Sequence, residues 1–174
     1  MNPSIFKAYD IRGIYPGEIN EDDAYNIGRA VVAHLKPVRL GVGRDIRASS
    51  PSLFASFAEG VMDAGCDVLD LGIITTPMVY FAAGRLDIDA AISLTASHNP
   101  PEYNGMKIAL RGAMPVGEHS GLSEIRDLAL RGEWTDAPTK GTMTEQDIRE
   151  AYYEYFAAFA DFRDQHFTLV IDTA

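Results

Sequence analysis

Short apolar runs alternate with segments of helical periodicity along most of the chain, and this alternation limits the possible folds more than any other feature. Val38–Gly43, Cys66–Leu71, Asp87–Leu94 and Gly105–Leu110 have the length and apolar continuity of buried strands. Between them lie helices with clear punctuation. Asn20 caps the first, acids Glu21, Asp22 and Asp23 fill its opening turn, and Ala24, Ile27, Val31 and Leu35 share one face before Pro37. Ser50-Pro51 opens the second, with Ser50 as N-cap, and Leu53, Phe54, Phe57 and Val61 form its stripe up to Gly65. Thr76-Pro77 opens a third that runs to Arg85. Such an order predicts an α/β protein, a layered sheet with helices on its faces.

The ends of the chain depart from the alternation. Residues 4–15 read as a short strand, with Tyr9, Asp10 and Arg12 as polar groups on an exposed edge. Met114 and Pro115 fall in a further short strand, and Leu122, Ile125 and Leu128 give a helix inside 120–130. Asn104-Gly105 is a turn signal. Thr144-x-x-Asp147 approximates a capping box for a last helix. Its stripe, Ile148, Tyr152, Tyr155, Phe156 and Phe159, reads as core rather than as a platform for stacked bases. Phe167–Asp172 carries a strong strand signal.

Charge and cysteine use remove several function classes. Against 15 basic residues stand 25 acidic ones, a net charge of −10, which argues against a general nucleic-acid binder. A local basic pocket for an anion remains compatible with that balance. The single cysteine, Cys66, excludes an internal disulfide and reads as a buried structural thiol. No basic segment followed by an apolar one opens the chain, and no apolar run reaches the length of a membrane span. A cytoplasmic protein without a membrane partner is the expectation. Oligomeric state is not encoded in any pattern here.

Chemistry concentrates in Thr95–Lys107. After the strand ending at Leu94 come a hydroxyl (Ser97), an imidazole (His98) and an amide (Asn99), then Pro100-Pro101, and later the Lys107 ammonium. Two readings stand on this stretch alone: a capped proline turn, or a site held at the end of a buried strand. Arg44-Asp45-Ile46-Arg47 and Thr75-Thr76 also follow strands, and ligand sites in open α/β sheets collect at those carboxyl ends. A serine hydroxyl ringed by Arg12, Arg44, Lys107 and His98 suits a phosphorylated ligand or phosphoryl transfer to Ser97. A serine hydrolase is the weaker alternative, because the Gly-x-Ser-x-Gly elbow is absent and neighbours such as Ser97 and His98 usually point apart. The four histidines show no paired spacing for a metal site.

Thr95-Ala-Ser-His-Asn-Pro100 with Tyr103-Asn-Gly-Met-Lys107 resembles the phosphoserine loop of the α-D-phosphohexomutases. Phe6–Gly13 resembles the amino-terminal signature of the bacterial phosphomannomutase/phosphoglucomutase branch, and Gly43-Arg-Asp45 and Gly72-x-x-Thr-Thr-Pro77 resemble further landmarks in the expected order. The resemblance implies the family's first domain, a layered mixed sheet with helices on both faces, over residues 1–160. Residues 161–174 would then be a linker and the first strand of a second domain, truncated here. It also implies an isomerase of carbohydrate metabolism, a phosphoprotein whose Ser97 passes its phosphoryl group to a hexose phosphate and recovers one from the 1,6-bisphosphate formed. Hexose 1-phosphate and 6-phosphate, of mannose or glucose, would so interconvert. Ser97, His98, Lys107 and Arg12 would be catalytic, and Tyr9, Asn99 and Arg44 would bind substrate. Magnesium would be the cofactor, touching this chain through the phosphoryl group of Ser97 alone. The remaining ligands and the sugar-recognition loop have no counterpart here, so the isolated chain is expected to be inactive. A non-catalytic phosphosugar-binding module is the alternative.

Overall fold

In the computed structural model, which describes residues 1–159 and 166–172, the apolar runs join one mixed sheet. Its strands are β1 (Ile11–Ile14), β2 (Arg39–Arg44), β3 (Asp67–Ile73), β4 (Ala90–Leu94), β5 (Tyr103–Leu110), β6 (Met114–Pro115) and β7 (Met143–Glu145). The order is β1-β5-β4-β2-β3-β7, with β6 sharing the outer edge of β5. Pairs β4–β2, β2–β3 and β3–β7 are parallel, while β5 runs antiparallel to β1, β4 and β6. Helices α2 (Ser50–Asp63) and α3 (Thr76–Arg85) supply the crossovers that make β2, β3 and β4 parallel, whereas β7 joins β3 from much further along the chain.

Each face of the sheet has its own core. On one side α1 (Glu21–Leu35), α2 and α4 (Leu122–Arg131) bury Ile27, Phe57 and Ile125 against Leu40, Val42, Ile92, Leu94 and Met106. On the other, α3 sets Met78, Val79 and Ala82 against Leu69, Leu71, Ala91 and Ala109. Full burial of a large apolar side chain is worth about 1.5–3 kcal/mol, so the first face carries most of the hydrophobic stabilisation. The predicted first cap is present in full: Asn20 accepts from the Asp23 N–H and Asp23 accepts from the Asn20 N–H. Cys66 is buried, and burial pushes its thiol up to about 12, so it is inert packing.

Several expectations need correction. The amino-terminal strand is shorter than expected, because Phe6 pairs back to Ile11 and the Lys7 N–H donates to the Asp10 carbonyl, which turns residues 7–10 into a tight loop. Ser50 is the first residue of α2 rather than its cap, and its hydroxyl donates to Asp45 at 2.6 Å. Asn104-Gly105 lies within β5 and makes no turn, since partners elsewhere satisfy the Asn104 side chain. Thr144 belongs to β7, opposite Leu69, and the last helix, α5 (Arg149–Ala157), starts later, with Asp147 accepting from the Arg149 N–H. Its stripe is core only in part. Ile148 is buried in the second core and Tyr152 packs against it, but Phe156 is 50% and Phe159 70% exposed, and the rings of Tyr152 and Tyr155 rest on Phe81 of α3. Residues 166–172 form no strand, and Phe167–Ile171 are exposed. A strand needs a ladder as well as apolar side chains. The linker expected from residue 161 falls in part outside the described residues. Among those described, no helix is long and apolar enough to cross a membrane.

Candidate functional site

The carboxyl ends of β2, β3 and β4 meet at one edge, tied by the Ile74 N–H to the Arg44 carbonyl and the Asp45 N–H to the Leu94 carbonyl, both at 3.0 Å. β4 leaves the sheet there and the chain turns through 95–102. Thr95 and Ala96 are still buried, whereas Ser97 and His98 are exposed. Ser97 adopts a left-handed backbone, φ 58°, which is uncommon for a residue with a Cβ. Its N–H donates to Thr95 Oγ1 at 2.9 Å, a local side-chain turn that fixes the peptide before the serine. Asn99 turns inward, with its N–H and its amide both donating to the Ala96 carbonyl.

The loop rests on the β2–α2 turn. Arg47 stretches across it and donates from Nη2 to the carbonyls of Ser97 (3.1 Å) and Asn99 (2.7 Å), and from Nη1 to those of Pro100 (2.6 Å) and Tyr103 (3.0 Å). Asp45 aims this guanidinium by accepting from its Nε at 3.0 Å. Where the chain re-enters the sheet, the fully buried Asn104 donates to the hydroxyls of Ser49 (2.8 Å) and Ser50 (3.0 Å). Its neighbour Gly105 lies so close to β1 that a Cβ would sit 1.9 Å from the Ile11 carbonyl oxygen.

That close approach brings the predicted cations together. Lys107 stands in register with Ser93 on β4, and Arg12 with Gly105. Both cations donate to one carboxylate oxygen, Asp10 Oδ2, Lys107 at 2.8 Å. Asp10 is nearly buried, at 6% exposure. Burial opposes its charge, yet the hydrogen bonds from Lys107 and Arg12 outweigh it and hold the carboxyl below its ordinary value. Ser93 in turn shares a hydrogen bond with Thr76 at 3.1 Å, which links the Thr75-Thr76 loop to the same strand ends.

Of the residues predicted from sequence, Ser97, His98 and Asn99 share the clamped loop, and Arg12 and Lys107 share the neighbouring strands. Tyr9 tops the 7–10 loop at 82% exposure. Arg44 is committed elsewhere: it pairs with Asp70 at 2.8 Å and lies over the Phe54 ring at 4.2 Å. A cavity of about 310 Å³ opens beside it, between Asp70, Gly72, Glu145 and Arg149, and does not include Ser97. Asp10, Arg47 and Asn104 read in sequence as an edge polar group, part of a strand-end loop and a turn signal, without a role of their own in the site. The signal available was period-two pairing, since Asp10 and Arg12, like Asp45 and Arg47, are an acid and a base two apart.

Fold and site define an α/β/α domain that presents one serine on a braced loop at the carboxyl edge of a mixed sheet, beside a paired Arg and Lys. The chain belongs to the phosphoglucomutase/phosphomannomutase family, whose alpha/beta/alpha domain I matches residues 3–136. It is similar to a phosphomannomutase of Escherichia coli, 44% identical over 158 residues, covering 90% of this chain and 35% of that one. It is 45% identical over 151 residues to a phosphomannomutase of Klebsiella pneumoniae, covering 86% of this chain and 96% of that one. The crystal structure of a phosphoglucomutase/phosphomannomutase family protein from Burkholderia thailandensis superposes with a TM-score of 0.81 at 35% identity, over 91% of this chain and 36% of that one. The chain thus spans about a third of the length of most of the relatives it matches.

Proposed function

We propose that this domain carries the phosphoryl group of a phosphohexomutase on Ser97, exchanging it with mannose or glucose phosphates. The observation that carries the reading is the left-handed Ser97 on a loop braced from both ends, with its side chain open to solvent. Strain of this kind persists where the surroundings over-determine it, and it clusters at functional sites.

In the forward step the phospho-Ser97 P–Oγ bond breaks and a P–O bond forms to a hydroxyl of the hexose 1-phosphate. The proton of that hydroxyl ends on Ser97 Oγ, and a hexose 1,6-bisphosphate results. The bisphosphate, which also serves as activator, returns its other phosphoryl group to Ser97 by the reverse step. Such a transfer needs charge neutralisation and in-line placement more than covalent machinery. Lys107 and Arg12 supply positive charge, shared with Asp10 until a phosphate competes for it. His98, exposed beside Ser97, would move the sugar proton, and the exposed Tyr9 would contact substrate, whereas the Asn99 amide donates inward to the Ala96 carbonyl and supports the loop. Arg44 would meet substrate with the guanidinium N–H groups it does not donate to Asp70.

Magnesium does not find a ligand set in this domain: among the described residues no group of three or more His, Cys, Asp or Glu could hold a metal. Phosphoryl oxygens on Ser97 would be what the described residues offer such a site, where magnesium would neutralise phosphoryl charge. The 174-residue polypeptide on its own is therefore expected not to interconvert hexose phosphates, and turnover of mannose 1-phosphate by the purified chain would refute that expectation.

Intact-mass measurement after incubation with glucose 1,6-bisphosphate tests the reading. One phosphoryl group is expected on a full-length mutase that carries this domain, and none on its Ser97→Ala variant. Saturable binding of the bisphosphate without uptake would instead support a phosphosugar-binding module.

A further inference from the structure

We infer that Arg47 is the positioning residue of the Ser97 loop, setting the serine's left-handed backbone before any substrate arrives. This deepens the reading of Ser97 as a phosphoryl carrier and rests on it. A guanidinium has five N–H donors in a planar fork. At Arg47 all of them are spent: Nε on Asp45, Nη1 on the carbonyls of Pro100 and Tyr103, Nη2 on those of Ser97 and Asn99. No donor remains for a substrate phosphate, so the residue acts on the loop alone. Its side chain is only 11% exposed, wedged between the β2–α2 turn and the loop.

The clamp acts on both peptide planes that flank Ser97. Thr95 Oγ1 holds the N–H side and Arg47 holds the carbonyl side. With both planes fixed, the Cα–Cβ bond of Ser97 has one direction, and only χ1 remains to place its hydroxyl. The bracing also crosses the two prolines, where the Pro100 carbonyl accepts from both the Tyr103 N–H and Arg47 Nη1. A lysine cannot reproduce this, because three donors on a point charge do not span four carbonyls.

Two variants and two readouts test the assignment. Arg47→Lys removes the fork, and Asp45→Asn keeps it but weakens its aim. Amide hydrogen exchange at Ser97, Asn99 and Tyr103 is expected to lose at least ~10-fold protection in Arg47→Lys, with ladder amides at Ile92 and Ile108 unchanged. Asp45→Asn should fall between. In a full-length mutase that carries this domain, phosphoryl uptake at Ser97 from glucose 1,6-bisphosphate should slow about 100-fold at saturation in Arg47→Lys, with the half-saturating concentration held within about twofold, the signature of lost positioning rather than lost binding. Unchanged loop protection overturns the inference, and so does an effect confined to the half-saturating concentration. If the wild-type full-length mutase takes up no phosphoryl group, the carrier reading fails, and the exchange comparison still decides whether Arg47 holds the loop.

Discussion

At Ser97 a side chain is held where the backbone prefers glycine, and the cost to an L-residue is about 1 kcal/mol. Replacement should therefore follow backbone freedom rather than polarity. Ser97→Gly is expected to stay within ~0.5 kcal/mol of the wild type or to exceed it, whereas β-branched Ser97→Val should lose about 1–2 kcal/mol, measured by urea unfolding. A reversed order would mean that the loop does not hold Ser97 as described. Asp10 gives a second residue-scale prediction, with a pH signature. Its folded carboxyl lies below the ordinary value of 3.8. Its stabilisation is thus fully present above the unfolded pKa and is lost as pH falls through the folded one. Asp10→Asn, which leaves Lys107 and Arg12 without their shared carboxylate, should cost roughly 1.5–3 kcal/mol at neutral pH. The gap between variant and wild type should close below pH 3.8 in parallel denaturation curves. Ser97 and Lys107 were legible as residue types at a strand end. The tie through Asp10 was not, because a short polar edge strand and a buried carboxylate with two cations look alike in sequence.

Among the elements, β1 depends on what β5 lacks. Gly105 has no Cβ, and any added there meets the Ile11 carbonyl oxygen at 1.9 Å and Arg12 Cα at 3.0 Å. Both obstacles are backbone, so no rotamer change relieves them. Gly105→Ala is expected to cost about 3 kcal/mol or more and to lower the protection of β1 amides before those of β2 and β4, as read by hydrogen exchange. Equal loss across the sheet would show that β1 does not depend on this approach. The same strand explains why Asn104-Gly105 misled the sequence reading. The dipeptide has turn chemistry, but the Asn104 amide has two hydroxyl partners on the β2–α2 turn, far off in sequence. Alternation and caps identified α1, α2, α3 and the central strands because those signals are local. The β7 strand and the start of α5 were missed because β7 exists only by pairing with β3, and Thr144-x-x-Asp147 carries the same letters as a cap.

Across the whole molecule the two sheet faces are unequal, and the inequality decides what an aromatic side chain is worth. Phe57 on α2 is fully buried among Ile27, Leu40 and their neighbours, inside the core shared by α1, α2 and α4. Phe159, just past α5, touches the rings of Tyr155 and Phe156 and is 70% exposed. Helical spacing gave the two the same appearance, since periodicity reports that a helix has an apolar face and not whether anything covers it. Among the described residues α3 is the one helix on its side of the sheet with a large contact, and α5 leans on it through Phe81 and the Arg85 guanidinium over Tyr155. Removing a ring from the closed face leaves a cavity, and removing one from the open face exposes nothing new. Phe57→Ala should therefore cost about 3–5 kcal/mol. Phe159→Ala should change stability by less than ~0.5 kcal/mol, both measured as the shift in urea midpoint at constant m. A loss at Phe159 comparable to that at Phe57 would show that something covers the aromatic face of α5 in solution.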